Sequence, residues 1–340
     1  DSNYVMSQGK NVSCNACSSQ GDQRGIVSID SIDLQLISTS VQGSLSEPAI
    51  EIDNSGTIFP GMVIIDDMSV NSPSYNHSVV LNHVDAEISN LDISGDGGMF
   101  WKAKGDTSSQ ISNSVIWDSE SSCFDMLSHT NLTASGVSLM CQQSSPTLDD
   151  SFVSFSDSNL ELGPEQSNSF LLNSSSHLRW ISSEDILTPT YTEDDNILDI
   201  MWSLDIHTIN QNLLNIPFAT VNISFEEFEE EVFAAQPYEG FQDYGPFIGK
   251  RWTPLQGWSE TNTANVGCDY DGVHNDTQVV EIDDDKRVYC RMDLSNQPPF
   301  IVWQTPTKDQ LFSSGSEINF DARESWDLDF DLLTYTWTSS

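Results

Sequence analysis

The chain has 340 residues, 37% of them apolar, and sets 12 Lys and Arg against 52 Asp and Glu for a formal net charge of −40. That length allows about two or three domains, and the acidity excludes nucleic acid and an anionic membrane surface as partners, since both need a basic face. No apolar run approaches the roughly 18 residues of a spanning helix, and the surplus of Ser, Asn, Asp and Thr suits strands joined by polar turns.

Residues 1–25 are polar and are expected to form an entry segment or an N-terminal cap over the first coil of the neighbouring region, because an open strand end invites aggregation. The chain starts at Asp1 without a signal peptide, as a matured product or a segment of a longer protein would. Cys14-Asn-Ala-Cys17 is a CxxC motif. It lacks a βαβ context and a second CxxC to complete a zinc site, so a small structural disulfide is expected.

Residues 26–185 alternate short apolar bursts with Ser, Asn, Asp and Gly. Ile88-Ser-Asn-Leu-Asp-Ile93 and Ile111-Ser-Asn-Ser-Val-Ile116 superimpose at an offset of 23 residues. Steps of 21 to 23 residues reach Ile65, Leu132 and Val153. Between them lies a second set: Ala49–Ile52, Val79–Leu81, Met99–Trp101, Cys123–Met126 and Phe170–Leu172. Several strand-like bursts per repeat predict a coiled parallel solenoid, in which turns stack about 4.8 Å apart and pile like residues into one apolar column. Asn90 and Asn113 would stack at a turn, each amide bonding the next. The region resembles the right-handed parallel β-helix repeats of secreted proteins. The rival is a β-sandwich with strands every eight to twelve residues or so, which leaves the repeated Ile-Ser-Asn unexplained.

A connector is expected at Ser182–Pro189 and Glu193–Asn196. Beyond it, 189–297 reads as an immunoglobulin-like β-sandwich. Ile197–Leu204 and Ala219–Phe225 are its longer strands; Val279–Ile282 and Arg287–Cys290 form a pair joined by the turn Asp283–Asp285; Pro237–Phe247 is a long surface loop. Glu226, Glu227, Glu229, Glu230 and Glu231, interleaved with Phe225, Phe228 and Val232, fit a short amphipathic turn. A solvated face is the plainer reading of this cluster and of Asp283–Asp285, and a shared cation site the sharper one.

The other cysteines fall into local pairs. Cys123 and Cys141, 18 residues apart, would bridge adjacent turns, and Cys268 and Cys290 would clamp the sandwich. Six N-x-S/T sequons, at Asn11, Asn76, Asn131, Asn173, Asn222 and Asn275, are expected to carry N-linked glycans. Together these features favour an oxidising extracellular or cell-surface setting.

The last forty or so residues contain Pro299–Pro306, Ile318-Asn-Phe-Asp-Ala322 and Ser325-Trp-Asp-Leu-Asp-Phe-Asp331-Leu-Leu-Thr-Tyr-Thr-Trp337. This resembles the N-terminal half of a PKD-type immunoglobulin-like domain over 298–340, and so implies a repeated β-sandwich spacer of secreted and surface proteins. Asp327, Asp329 and Asp331 lie at its acidic turn. Alternating carboxylates in a tight loop can ligate Ca²⁺; the alternative is a solvated turn, and Phe330 departs from the small residue usual there. The unit stops at Thr338–Ser340, before its closing strands. Either the chain continues or a second subunit donates a strand.

Catalytic constellations are absent from the sequence. Asp85, Asp92, Asp96, Asp118 and Asp125 are carboxylates on the solenoid without a distinguished pair. Lys102, Lys104 and Arg179 are its only Lys or Arg residues to bind an anionic sugar. His77, His83, His129, His177, His207 and His274 show no ligand spacing. No residue set fills the roles of an enzyme. The expected protein is all-β: a right-handed parallel β-helix, an Ig-like β-sandwich and a partial PKD-like one. It would serve as a structural surface layer, stalk or filament that self-associates. A carbohydrate-binding solenoid presenting Trp101 and Trp117, or a β-helix polysaccharide-degrading enzyme, are the alternatives.

Overall fold

A computed structural model describes the chain apart from residues 1–3, 8–9, 16–17, 21–24, 31, 44–46, 57–61, 73–76, 104–107, 119–122, 130, 165, 167–168, 183–187, 229–232, 295–298, 307–309, 328–332 and 339–340. The described residues are all-β, without helix. They form two compact units: Asp1–Trp202 with Ile248–Thr261, and Ser203–Phe247 with Asn262–Ser340.

The first unit is a parallel β-solenoid of about six turns. One sheet stacks Tyr4–Ser7, Ile26–Ile29, Ile50–Asp53, His77–Asn82, Gly98–Lys102, Phe124–Leu127, Thr147–Asp149, Leu171–Asn173 and Thr190–Tyr191 in sequence order. The rest of each turn bends at a corner into two arms. Met62–Ser72 and Asp85–Gly95 run through both arms, whereas the next turn divides into Ser108–Ser112 and Val115–Asp118, which pair with the two halves of Asp85–Gly95.

The corner has one recurrent cause. Ser38, Asp67, Asn90, Asn113, Gly136, Asp157 and Ser182 stand at this bend in successive turns, all with φ between 47° and 63°. Left-handed backbone favours Gly and residues whose short polar side chain can bond locally. The successive separations are 29, 23, 23, 23, 21 and 25 residues, so the coil tolerates insertions while the corner stays aligned. Asn90 and Asn113 do stack here, but Asn90 Nδ2 donates to Asp66 Oδ1 at 2.9 Å, a bond the sequence did not suggest. Ser89 Oγ donates to the same oxygen at 2.7 Å, and these two bonds hold the Asp66 carboxyl below its ordinary range.

Just after the left-handed residue, several turns bury a serine. Ser114 Oγ accepts the Leu91 N–H of the preceding turn at 3.1 Å and donates to Ser112 O at 2.7 Å. Ser158 repeats this with Val137 N–H and Ser156 O at 3.1 and 2.8 Å. At the solenoid's other bend Ser151 does the same with His129 N–H and Asp149 O, at 3.2 and 2.8 Å. Each hydroxyl satisfies a buried amide that the bent ladder cannot pair.

Inward side chains form columns. Ile65, Ile88, Ile111, Ala134, Phe155 and Trp180 make one; Val63, Ala86, Ser109, Leu132, Val153 and Leu178 make its neighbour. The expected step from Ile111 to Leu132 therefore crosses between columns, while Leu132 to Val153 keeps within one. In the other sheet Ile52, Leu81, Trp101, Met126, Leu148 and Leu172 stack as the second burst set predicts. These apolar residues are buried, and each fully buried large aliphatic side chain contributes about 1.5–3 kcal/mol. Gly95 is required sterically: φ is 123°, and a Cβ there would stand 2.0 Å from Ser72 O.

Lys10–Asn15 and Ser18–Gln20 pair in parallel with Ile32–Gln42, so the polar entry segment winds as an outermost turn. At the far end the coil continues past residue 185: Thr190–Tyr191 joins the first sheet, and Ile197–Met201 pairs with His177–Ile181. Residues 248–261 then return from beyond the sequence-expected boundary. Trp252 joins the apolar core with its ring 5.6 Å from Tyr191, and Trp258 Nε1 donates to Thr188 Oγ1 at 3.1 Å. The disulfide Cys123–Cys141 ties one turn to the next as expected, its Cα atoms 5.1 Å apart.

In the second unit, Thr220–Phe225, Phe233–Ala235, Thr263–Tyr270, Val273–His274 and Gln278–Glu281 form an antiparallel sheet. Leu204–Asn210 pairs in parallel with Lys286–Met292, and Cys268–Cys290 links this pair to the antiparallel sheet. Two expectations are corrected. Val279–Ile282 and Arg287–Cys290 are not a hairpin: Gln278–Glu281 pairs with Thr263–Tyr270, and the chain crosses to the other sheet at Asp283–Asp285, where buried Ile282 donates its N–H to Asn262 O. Pro237–Phe247 is not all loop, because Phe241–Thr253 is a strand that buries Tyr244 and Phe247. Residues 299–338 show two isolated antiparallel bridges, Phe300 with Trp326 and Thr305 with Asp321.

Candidate functional site

The sequence-predicted metal set is only partly described. Asp327 is buried, while Asp329 and Asp331 lie outside the described residues. No group of three or more His, Cys, Asp or Glu among the described residues is arranged to hold a metal ion. Glu226 and Glu227 lie at a bend and are both exposed; Glu229, Glu230, Glu231 and Val232 lie outside the described residues. Cys14 is disulfide-bonded, and Cys17 is outside the described residues. Of the sequons, Asn131 and Asn222 are exposed on strands and Asn173 is half-buried. Asn275 is half-buried and accepts the Cys268 N–H at 2.5 Å, Asn11 lies on a strand, and Asn76 falls outside the described residues.

The solenoid disperses its carboxylates. Asp118 is buried and accepts the Gly98 N–H at 3.0 Å. Asp85 is buried on an arm, Asp92 exposed on the other arm and Asp96 half-buried. Asp125 lies on the outer face of the first sheet, where it meets His77 Nε2 at 2.9 Å beside the Phe100 ring. Lys102 is half-buried on the same strand as Phe100, and Lys104 falls outside the described residues. Trp101 is fully buried, with Nε1 donating to Val84 O at 2.8 Å, so it offers nothing to a sugar; Trp117 is 37% exposed. His129 packs edge-on to Trp101, with Nε2 3.0 Å from Trp101 O, and burial lowers its pKa to about 4, leaving it neutral near pH 7.

Asp199 is the solenoid's buried carboxylate with the strongest partners. Arg251 Nε and Nη2 donate to its two oxygens at 2.6 and 2.9 Å, and His177 Nε2 lies 2.8 Å from Oδ2. Burial pushes this carboxyl up, but the bonds from Arg251 and His177 outweigh it and hold Asp199 below its ordinary range. His177 also packs edge-on to Phe152, over which the Arg179 guanidinium stacks at 4.8 Å. This cluster pins the returning segment to the last turn.

The second unit has a different kind of surface. Parallel pairing sets Asp205 beside Arg287 and His207 beside Tyr289 on one face, while Leu204, Ile206, Val288 and Cys290 point inward. Arg287 Nε donates to Asp205 Oδ2 at 2.5 Å, and His207 Nε2 lies 2.9 Å from Asp205 Oδ1. Bonds to Asp205 and to the Tyr289 hydroxyl raise the Arg287 pKa above its ordinary value. The Phe241 ring stacks on His207 at 5.2 Å and 14°, and Tyr289 flanks it at 5.5 Å. Beside this ledge opens a cleft of about 470 Å³ lined by Ser203, Asp205, Asp243, Asp285, Lys286 and Arg287. Asp285 Oδ1 accepts the Ser203 N–H at 2.6 Å, and Lys286 pairs with Asp283. The sequence reading missed this set. Its signal was Asp-x-His at 205–207 and Arg-x-Tyr at 287–289, each at the two-residue period of one strand face.

No protein-family model matches the chain, and neither a curated protein nor a solved structure is found similar to it. Among the described residues, no helix is long and apolar enough to cross a membrane.

Proposed function

We propose that this chain is a non-catalytic structural protein of the extracellular space or cell surface, a subunit of a layer, stalk or filament. The observation that carries this reading is the use made of buried polar groups in the solenoid. Asp118 holds the Gly98 amide, His129 lies against the Trp101 carbonyl, and Asp199 anchors Arg251. Each is committed to holding turns or the returning segment in place, and none lines the cleft beside Asp205 and Arg287. The disulfides Cys123–Cys141 and Cys268–Cys290 fit an oxidising compartment. In this reading the coil is right-handed, the second unit is Ig-like, and residues 298–340 belong to a PKD-type module whose Asp327, Asp329 and Asp331 take Ca²⁺.

Self-association is the second element of the proposal. Trp303, Phe320, Tyr335 and Trp337 are 43–49% exposed, with Trp303 edge-on to both Phe320 and Trp337. Clustered exposed aromatics of this kind favour burial against a partner, and a second copy is the partner proposed.

Secretion from a eukaryotic host, intact-mass analysis before and after glycosidase treatment, and electron microscopy test this. Expected are glycan mass at the sequons, no free thiol, and ordered oligomers that Trp303→Ser with Trp337→Ser disperses. Unglycosylated compact monomers at every concentration would refute the proposal.

A further inference from the structure

The ledge and cleft of the second unit invite a use that a scaffold does not need. Phe241 and Tyr289 are 41% and 49% exposed, although a strand pair could have placed polar residues there without loss. An aromatic face left in water beside bidentate polar groups is suited to a ligand with an apolar ring face and an equatorial belt of hydroxyls.

The polar groups have the matching chemistry. Asp205 and Arg287 are held in one geometry by their mutual bond and by His207 and Tyr289, so little rotamer freedom is left to lose on binding. A carboxylate accepts two hydroxyl protons, and a guanidinium donates to two hydroxyl oxygens. Asp243 completes the cleft wall, and no bond or ion pair engages it among the described residues. The chain's scarce basic residues gather here: Lys286, Arg287 and Arg291 stand within six positions, from a total of 12 Lys and Arg. Asp205, Asp243 and Asp285 offset them, so the cleft carries both signs. A strongly anionic ligand would meet these carboxylates and the field of the whole chain. Metal binding is disfavoured because Asp205 is already bonded to Arg287 and His207, and Asp285 to the Ser203 amide.

We infer that this face binds a neutral oligosaccharide, with sugar rings resting on Phe241 and Tyr289 and hydroxyls bonded by Asp205, Asp243 and Arg287. This assignment is independent of the scaffold reading, since it concerns side chains that the solenoid does not use.

Isothermal titration of the full chain with cellohexaose, maltohexaose, mannohexaose and chitohexaose tests it, with hexagalacturonate as the anionic comparator. At least one neutral hexasaccharide should bind with a Kd between about 10 μM and 1 mM. Tyr289→Ala and Phe241→Ala should each weaken it about tenfold or more, a change equivalent to about 1.4 kcal/mol. Both rings are half exposed, so circular dichroism should find the variants folded; if one fails, the other carries the test. Asp205→Asn should weaken binding as well. Absence of binding by every neutral hexasaccharide at about 10 mM, tighter binding of hexagalacturonate, or unchanged affinity in both aromatic variants would overturn the inference.

Discussion

Ser114 Oγ accepts the N–H of Leu91, 23 residues earlier and one turn away, at 3.1 Å, while it donates to its own turn at Ser112 O. A coil that bends its ladder at a left-handed residue strands an amide inside the wall, and a hydroxyl at the next position repairs it. The same arrangement at Ser158 and Ser151 explains why a chain rich in serine makes such a dry core.

Ser114→Ala should therefore destabilise the solenoid by about 1–3 kcal/mol, the cost of a buried amide left unsatisfied. Ser158→Ala should behave alike through Val137. Guanidinium denaturation of each variant gives the number. Ser138→Ala, at a half-buried outer position, should change stability by no more than about 0.5 kcal/mol.

Acid should weaken the fold in two separate windows. His129 titrates at about 4 in the folded chain, against 6.5 in the unfolded one. Below pH 6.5 the unfolded state binds the additional proton, so stability present above that pH is lost as pH falls toward 4, by about 3 kcal/mol at 1.36 kcal/mol per unit. Asp199, held below its ordinary 3.8, contributes stability present above 3.8 that is lost at lower pH still. Thermal melts from pH 8 to pH 4 should decline, and His129→Gln should flatten that decline. An unaltered slope in the variant would count against this assignment.

Arg251→Met should cost about 3 kcal/mol, because it removes the main partner of a buried carboxylate. Replacing Asp199 by Leu as well should recover part of that loss, since apolar pairs often match buried ion pairs. Hydrogen exchange should show the loss concentrated in 248–261 and the last turn, where Trp252 and Trp258 depend on this anchor.

Much of the coil was legible in the chain itself. The 23-residue offset between Ile88 and Ile111 is a true stacking register, and the second burst set names real neighbours from Ile52 to Leu172. Leu148 was missed because Thr147–Asp149 is too short to stand out. The slip from Ile111 to Leu132 arose because inward residues recur every second position, so neighbouring columns look alike in sequence. Serine at the corner was legible as Ser-Asn-Ser at 112–114 and Ser-Asp-Ser at 156–158, but its meaning needs the adjacent turn. The hairpin reading of 279–290 failed for a related reason: two apolar runs and an acidic turn fit a hairpin as well as a crossing, and only the buried Ile282 between sheets distinguishes them.

The amino-acid order by itself determined the coiling, since a short repeat places each apolar residue over its counterpart one turn earlier, and nearby cysteines meet through the same repetition. Only the folded arrangement decided that 248–261 returns to close the coil and that Asp205 lies against Arg287, 82 residues away. Those contacts join distant segments once each, and a contact made once leaves no period for a reader of the chain to find.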